Sequence, residues 1–323
     1  MKFASLLTTI SLAASAFAVY VTSADGTKIW AEATGDPDKP AVVFIPGFSC
    51  SSLAFSKQWS DPYMTSNLYM VRYDVRGQGI SDQPLANTSY VSKPFAEDFK
   101  AVIDYFDIGG KRPILAGWSM GGVTAADIAT YYGTGLIRGV VLLGSFPHRN
   151  MHSQVATQWI LNFIPRLLDY SLAKFGPTAK EFAESCVAFG DQLDQTTKYS
   201  WMGAVAGQNP DVRLWSIPHT QNETALMNAR LTLPYLVLHG KLDKHVDGVK
   251  LRAYMDKWFG NFVFRLWDNV GHASFWDAPE DANKEIVAFA RRLRRGWAIL
   301  SDSPDGLIFS PDVDGTSDAP PSS

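Results

Sequence analysis

Residues 117–122 read Gly-Trp-Ser-Met-Gly-Gly and connect a strand pattern to a helix pattern. The apolar run before them, residues 113–117, is typical of a strand buried on both faces, and a helix pattern begins at Val123. Gly-x-Ser-x-Gly between a strand and a helix predicts a sharp, strained turn that exposes the serine. Glycines are needed around Ser119 because a Cβ would clash in so tight a turn. The stretch therefore predicts an α/β fold with an accessible Ser119 at the end of a central strand.

The rest of the chain body repeats this alternation of short apolar runs and helical stripes. Residues 95–106 and 282–293 each place apolar side chains along one helical face, and residues 19–34 alternate in polarity as in an antiparallel hairpin. The apolar runs lie at residues 41–45, 69–74, 113–117, 139–143, 235–239 and 262–266. Buried strands separated by helices predict an α/β fold, with a mostly parallel sheet and helices on both of its faces.

Residues 147–234 interrupt the alternation with a long, mostly helical segment. Thr178, followed by Glu181, predicts the start of one helix by a capping box. We expect the segment to form a helical cap over the C-terminal edge of the sheet, where ligand sites lie in open α/β sheets. The core then comprises residues 19–146 and 235–300. The alternative is that the insertion simply adds to the core.

The two ends of the chain differ from its body. Residues 1–18 contain one lysine, an apolar middle and a final Ala-Phe-Ala, which predicts a secretory signal peptide cleaved before Val19. The alternative is the ordinary N-terminus of a cytoplasmic protein. Residues 301–323 contain five aspartates and neither lysine nor arginine, which predicts a disordered acidic tail.

The composition excludes several classes of protein. Of 323 residues, 46% are hydrophobic and 19% charged, so the chain buries a core. The net charge of −3 gives no reason to expect nucleic acid as a partner. No run is long and apolar enough for a stable membrane span. Two cysteines, Cys50 and Cys186, are too few for a disulfide scaffold or a four-cysteine zinc site, and the sequence does not decide whether they pair.

A serine hydroxyl is a weak nucleophile at neutral pH, so Ser119 needs a base that is oriented by an acid. After a turn of this kind, the acid precedes the base in the chain. Asp243 follows the run at 235–239, and His272 lies between the last run and the final helix pattern. Both loops belong at the sheet edge that holds Ser119. We therefore predict Ser119 as nucleophile, His272 as base and Asp243 as acid.

Other residues compete for these two roles. Asp247 and Asp268 are alternatives to Asp243, but Asp247 is placed to cap the next helix and Asp268 lies too close to the strand end. His239 lies in or at the end of a strand, where a structural role is expected. His245 lies in the loop of the acid and is predicted to line the pocket. The remaining three histidines apart from His272 lie in the insertion.

These motifs together resemble the α/β-hydrolase superfamily over residues 19–300, and in particular its serine esterases and cofactor-free haloperoxidases. They are Pro-Gly-Phe at 46–48, Asp-Val-Arg-Gly-Gln-Gly-Ile-Ser at 74–81, the turn around Ser119, and the loops of Asp243 and His272. The resemblance implies an eight-stranded, mostly parallel sheet with an inserted cap. It also implies covalent catalysis without a metal or organic cofactor, and a scaffold role for Asp74 and Arg76.

The same resemblance assigns an oxyanion hole to two backbone amides. One donor is the N–H after the nucleophile, Met120, and the other lies in the loop after the third strand. This loop usually begins His-Gly, whereas this chain has Pro46-Gly47. The difference removes a supporting side chain but leaves the amide of Phe48, which we predict as the second donor.

The predicted function is hydrolysis of small carboxylic esters or lactones through an acyl-enzyme, with a small molecule as partner and no predicted oligomeric state. Trp118, Trp159 and His245 are candidate pocket residues, although aromatic stripes are more often core packing. A lyase or carbon–carbon bond hydrolase with the same triad, and a ligand-binding receptor with a slow site, are alternatives. Epoxide hydrolases and haloalkane dehalogenases of this fold use an aspartate nucleophile, so Ser119 argues against both.

Overall fold

The computed structural model describes residues 17–295. The predicted acidic tail and residues 1–16 of the predicted signal peptide lie outside this range. Residues 17 and 18 begin the first strand, two residues before the predicted cleavage site. Within residues 17–295, no helix has both the length and the apolar character that a membrane crossing requires.

The described residues form one sheet of eight strands in the order β1-β2-β4-β3-β5-β6-β7-β8. β1 and β2 form the predicted hairpin, β2 also pairs antiparallel with β4, and the other pairs are parallel. The strands are β1 Phe17–Thr22, β2 Lys28–Gly35, β3 Ala41–Ile45, β4 Tyr69–Tyr73, β5 Ile114–Trp118, β6 Gly139–Leu143, β7 Tyr235–Gly240 and β8 Phe262–Trp267. This sheet confirms the predicted fold class.

Helices cover both faces of the sheet, which explains the continuous apolar runs. In β3, Val43 and Ile45 pack into one hydrophobic cluster, while Val42 and Phe44 pack into another on the opposite face. Every residue of β3, β5 and β6 is buried. A strand covered on both faces has no solvent-facing positions, so it loses the alternation of polar and apolar residues.

Thirteen α-helices lie within residues 17–295. The predicted stripes at 95–106 and 282–293 belong to α3 and α13. The helices are α1 Ser56–Trp59, α2 Pro62–Asn67, α3 Ser92–Tyr105, α4 Met120–Tyr132, α5 His152–Val155, α6 Gln158–Leu167, α7 Leu172–Ser185, α8 Gln195–Gly207, α9 Pro210–Ser216, α10 Thr224–Asn228, α11 Gly248–Trp258, α12 Ser274–Asp277 and α13 Pro279–Arg294. Helices α5 to α10 all lie between β6 and β7, where we expected the insertion.

The capping box predicted at Thr178 is wrong, because Thr178 lies inside α7 rather than at its start. The helix continues through Pro177, which removes one backbone hydrogen bond. Burial of Ala179 and Phe182 in the core offsets that loss. Glu181 forms an ion pair with Arg166 of α6 at 2.5 Å instead of reaching back to the backbone.

Cys50 and Cys186 are free, buried thiols in the same hydrophobic cluster. Burial raises the pKa of both thiols well above the usual value, so neither is a thiolate at neutral pH. The structure thus answers the question that the sequence left open: the two cysteines pack as small apolar side chains.

Candidate active site

Ser119 lies on a strained turn between β5 and α4. Its φ is 51° and its ψ is −122°, a conformation that side chains rarely adopt. The backbone of β3 approaches this turn so closely that only glycine leaves enough room. A Cβ on Gly121 would lie 2.2 Å from the carbonyl oxygen of Ile45. A Cβ on Gly117 would lie 2.3 Å from Cα of Gly122. The glycines of the motif are therefore required by contact distances.

The loop at 46–48 passes directly beside the serine. A Cβ on Gly47 would lie 3.0 Å from Cβ of Ser119. Phe48, Ser119 and Met120 line the same cavity. Met120 is the first residue of α4, where backbone N–H groups have no intrahelical acceptor and the helix dipole favours negative charge. Both predicted oxyanion donors thus belong to the segments that surround Ser119.

Asp243 follows β7 and is surrounded by hydrogen-bond donors. Oδ1 accepts from the backbone N–H groups of His245, at 2.7 Å, and Val246, at 3.0 Å. Oδ2 lies 2.9 Å from Nδ1 of His272 and 3.2 Å from Nε2 of His239. Burial by itself would raise the pKa of Asp243, but the interaction with His272 outweighs it and the pKa is lowered. Asp243 is therefore a carboxylate at neutral pH.

His272 is oriented by Asp243 and buried beside the turn of Ser119. Because Nδ1–H donates to the carboxylate, Nε2 carries the lone pair that a base requires. The backbone N–H of Ser119 donates to the carbonyl of Leu143, and a Cβ on the next residue, Gly144, would lie 3.2 Å from Nδ1 of His272. Nε2 has no hydrogen-bond partner among residues 17–295. The bond to Ser119 is thus not formed in this structure, as is common in free enzymes.

The loop that carries His272 is held by residues the sequence did not mark. A carboxylate oxygen of Asp277 accepts from the backbone N–H groups of Gly271, at 2.8 Å, and Ala188, at 2.9 Å. The N–H of Ala273 donates to the carbonyl of Cys186 at 2.6 Å. Cys186 and Ala188 follow helix α7, so the insertion directly supports the loop of the predicted base.

His245 lies against His272 and lines the cavity that contains Ser119. Its ring centroid lies 4.1 Å from that of His272 and 5.5 Å from the nearly parallel ring of Trp159. Nε2 lies 2.8 Å from Oγ of Ser185. Burial and the neighbouring His272 lower the pKa of His245 well below its usual value. The imidazole is therefore neutral at physiological pH.

The cavity beside Ser119 is narrow, with a volume of about 60 Å³. The core contributes Phe48 and Met120 to its wall, and the insertion contributes apolar side chains such as Ile160. The two predicted pocket tryptophans lie behind this wall. Trp118 is 1% exposed and packs against Phe275 at 5.3 Å between ring centroids, and Trp159 packs behind His245. Their assignment to the pocket is corrected, because Trp118 is buried in the core, and Trp159 is half-buried and lines a separate cavity with Glu181 and Lys244.

The alternative acids and His239 occupy other positions. Asp247 caps α11, as predicted, by accepting from the N–H groups of Val249 and Lys250. Asp268 is exposed and pairs with Lys241 at 2.8 Å. The sequence indicated only a structural role for His239, whose Nε2 contacts the carbonyl of Val246 as well as Asp243. The sequence feature that could have predicted the contact with Asp243 is the position of His239 at the end of β7, four residues before Asp243.

A larger cavity, of about 280 Å³, is lined by residues at the opposite, N-terminal ends of the central strands. Its wall includes Lys39, Arg112, Arg138 and Arg294 and none of Ser119, Asp243 and His272. Within the described residues, no cluster of three or more His, Cys, Asp or Glu side chains is arranged to hold a metal ion. We refer to Ser119, Asp243 and His272 below as the candidate triad.

Comparison with known proteins gives the family of the chain. The model of a family described as alpha/beta hydrolases matches residues 42–285. A putative non-heme chloroperoxidase from Synechocystis is 24% identical over 254 residues, which cover 77% of this chain and 90% of that protein. Human epoxide hydrolase 4 is 26% identical over 294 residues, which cover 81% of this chain and 75% of that protein.

A solved structure similar to this chain is that of a putative aryl esterase from Burkholderia cenocepacia. The TM-score is 0.78 at 25% sequence identity, and the match covers 86% of this chain and 99% of the esterase. The similar proteins thus include an esterase, a haloperoxidase and an epoxide hydrolase. They agree on the family and the fold but differ in the reaction that their names describe.

Proposed function

We propose that this chain, which belongs to the alpha/beta hydrolase family, is a serine hydrolase that cleaves small carboxylic esters or lactones through an acyl-enzyme. The observation that carries the proposal is the strained Ser119 beside the bonded pair of Asp243 and His272, with 2.9 Å between Oδ2 and Nδ1. The same residues on a relaxed backbone, or with His272 turned away from Asp243, would not support it.

The first half of the reaction forms the acyl-enzyme. Nε2 of His272 takes the hydroxyl proton as Oγ of Ser119 attacks the ester carbonyl, and Asp243 stabilises the resulting imidazolium. The backbone N–H groups of Phe48 and Met120 stabilise the oxyanion, and one such donor is worth about 2.7–4 kcal/mol of transition-state stabilisation. The bond to the alcohol oxygen then breaks, and His272 returns the proton to the leaving alcohol.

The second half regenerates the enzyme with water as nucleophile. His272 takes a proton from water, whose oxygen attacks the acyl carbon and forms a second tetrahedral intermediate. The bond to Oγ of Ser119 breaks, the acid is released, and His272 returns the proton to Ser119. A lactone follows the same path, except that the alcohol remains attached to the acyl group.

The identity of the nucleophile supports ester cleavage over epoxide opening. A serine acyl-enzyme is an ester that water cleaves readily with the help of His272, whereas a serine attack on an epoxide would leave a stable ether. The cavity of about 60 Å³ supports small substrates over peptides. The fold by itself favours neither reaction, since one fold hosts many chemistries.

The experiment that tests this function is a panel of short esters and lactones, read by mass spectrometry of the intact protein and of the Ser119 peptide. We expect turnover and a trapped acyl adduct on Ser119. Diisopropyl fluorophosphate should label the same residue. Labelling of another residue, or turnover that persists in Ser119→Ala, would contradict the proposal. Release of an aldehyde or a carbon–carbon cleavage product would favour the lyase alternative, and binding without turnover would favour the receptor.

We also propose that the protein is secreted after cleavage before Val19. Cleavage there removes two residues of β1 and leaves Val19 to Thr22 paired with β2, from Ala31 to Lys28. The hairpin therefore keeps most of its hydrogen bonds in the mature chain. N-terminal sequencing of protein recovered from the medium of the producing cells should begin at Val19. Retention of Met1 in cell extracts alone would contradict this proposal.

A further inference from the structure

Arg149 places a positive charge on the wall of the cavity that contains Ser119. It follows β6, in the short turn before α5, and lines the same cavity of about 60 Å³ as the nucleophile. Its position is fixed by its own backbone, whose N–H donates to Oε1 of Gln221 at 2.7 Å. A substrate that occupies this cavity therefore lies beside Arg149.

The guanidinium of Arg149 has few partners in the protein. Its Nη2 donates to one carbonyl oxygen, that of Ile217, at 2.8 Å. Among residues 17–295, no carboxylate lies within ion-pair distance of it. A guanidinium offers five N–H donors, and the carbonyl of Ile217 accepts from one of them.

Two arginines that are fully buried show how this chain satisfies a guanidinium away from solvent. Arg76 pairs with Asp25 and Asp98, at 2.7 Å each. Arg213 donates to three backbone carbonyls and one side-chain amide oxygen. Arg149 has neither arrangement, although it is partly buried and burial lowers its pKa. Because Arg149 lines the cavity of the nucleophile, a substrate bound there can supply the carboxylate partner that the protein does not.

The rest of the cavity offers no anion to Arg149. His152 lies beside it, and burial together with Arg149 lowers the pKa of this histidine to about 4, so the ring is neutral at physiological pH. The same cavity is also lined by apolar side chains that include Ile160, Ile164 and Leu167. Among the residues that line the cavity, Arg149 is thus the charged group beside an apolar wall and the nucleophile.

We propose that Arg149 binds a carboxylate of the substrate, and that the preferred substrate is a short ester that carries a free carboxylate beyond a small aliphatic linker. The inference rests on the proposed serine hydrolase function and adds the chemical class of its substrate. Guanidinium and carboxylate match in geometry and form two parallel hydrogen bonds. The apolar wall suits the linker, and the narrow cavity limits its length.

The first test measures binding without turnover. Ser119→Ala protein is titrated calorimetrically with monoethyl succinate and with ethyl succinamate, which has the same shape but a neutral amide in place of the carboxylate. We expect the carboxylate compound to bind about 10- to 100-fold more tightly, as is typical of a hydrogen-bonded charge. Equal affinity of the two compounds, or no binding of either, would overturn the inference.

The second test compares kcat/KM for the same two esters. In the wild-type protein we expect a preference for monoethyl succinate, and Arg149→Gln should reduce that preference by about 10- to 100-fold. Arg149→Lys should retain part of it, since lysine keeps the charge but not the planar donor pair. Arg230→Gln is the matched control, because Arg230 is also partly buried and donates to one carbonyl, that of Met227, at 2.7 Å.

The two proposals fail in different ways. If Ser119→Ala keeps the activity on both esters, the serine hydrolase itself is wrong. If Ser119→Ala loses the activity but Arg149→Gln leaves the preference of the wild-type protein unchanged, only the role of Arg149 is wrong. A preference that falls equally in Arg149→Gln and Arg230→Gln would show a general effect of charge, and would also overturn the specific role of Arg149.

Discussion

Two clusters among residues 17–295 can be compared, because each contains a serine, a histidine and an aspartate. One is the candidate triad. The other consists of Ser92 at the start of α3, Asp127 in α4 and His219 after α9, and all three are at most 7% exposed. Nε2 of His219 lies 3.1 Å from Oδ1 of Asp127, a distance close to that in the candidate triad. Residue types and a histidine–aspartate bond therefore do not distinguish the two clusters.

The clusters differ in the order of their contacts. In the second cluster the hydroxyl of Ser92 donates to Asp127, the same oxygen that His219 contacts. The serine is thus bonded to the acid and not to the base, so no proton can be taken from it by His219. The ring of His219 stacks on Phe95 at 4.6 Å between centroids, with an interplanar angle of 14°. This arrangement joins α3, α4 and the insertion.

The surroundings differ as well. Ser119 has a φ of 51° on a turn that lines a cavity, whereas Ser92 begins a regular helix and is buried. Oδ2 of Asp127 has no hydrogen-bond partner within the described chain. The comparison teaches that the features expected of a reactive serine, namely a strained turn, free amides and a cavity, occur at Ser119 and not at Ser92, although both clusters have the same residue types.

The largest effect is expected from removing the two serine hydroxyls in turn. Ser119→Ala should reduce kcat for ester hydrolysis by about 10⁶-fold, the scale found when a serine protease loses its nucleophile. Ser92→Ala should leave kcat within about threefold of the wild type, since the hydroxyl of Ser92 donates to Asp127 and Ser92 does not line the cavity of Ser119. Initial rates with a 4-nitrophenyl ester and a circular dichroism check of folding measure both. A comparable loss of kcat in a folded Ser92→Ala protein would contradict the prediction that only Ser119 is the nucleophile.

The second comparison changes the two aspartates. Asp243→Asn should reduce kcat by about 10⁴-fold, because an amide does not hold His272 in the required tautomer. Asp127→Asn should instead reduce the free energy of unfolding by about 1–3 kcal/mol and leave KM unchanged. Steady-state kinetics and urea unfolding of both variants provide the data. The idea fails if the Asn substitution at 127 costs activity and the one at 243 does not.

The third prediction concerns the strained turn, which only the candidate triad has. Gly121→Ala would place a Cβ 2.2 Å from a backbone oxygen, so we expect a loss of about 3 kcal/mol or more in unfolding free energy. Gly203→Ala in α8 meets no atom within 4 Å and should stabilise the protein by about 0.5–1 kcal/mol. Thermal and urea unfolding measure both. A harmless Gly121→Ala would mean that the turn is less tightly packed than its contacts indicate.

The smallest effect concerns acid stability. The pKa of Asp243 is lowered in the folded protein, so its ionised form contributes stability that is present above the unfolded pKa of about 4 and is lost as the pH falls below it. The difference in unfolding free energy between the wild type and Asp243→Asn should therefore be constant near neutrality and shrink below about pH 4. Urea unfolding at a series of pH values tests this. A difference that grows in acid would reverse the sign of the argument.

Much of the fold followed from local sequence patterns. The turn at Ser119, the buried runs and the stripes of α3 and α13 each follow from rules that act over a few residues. The cap of α11 at Asp247 was predicted in the same way. The helix start predicted at Thr178 was wrong because a capping pattern rests on two residues, whereas the packing of the whole helix α7 contributes more to stability.

The sequence by itself was enough to predict the class of sheet, the family and three candidate catalytic residues in the order serine, aspartate, histidine. It did so because a strained turn needs glycine and buried strands need continuous apolar residues, and both requirements are local. Only the tertiary structure decided that His239 contacts Asp243, that Trp118 and Trp159 lie outside the cavity of Ser119, and that Arg149 lines this cavity without a carboxylate partner. These contacts depend on which distant segments pack against each other. Whether a side chain is buried or paired is set by that packing, and the residues next to it in the chain do not determine it.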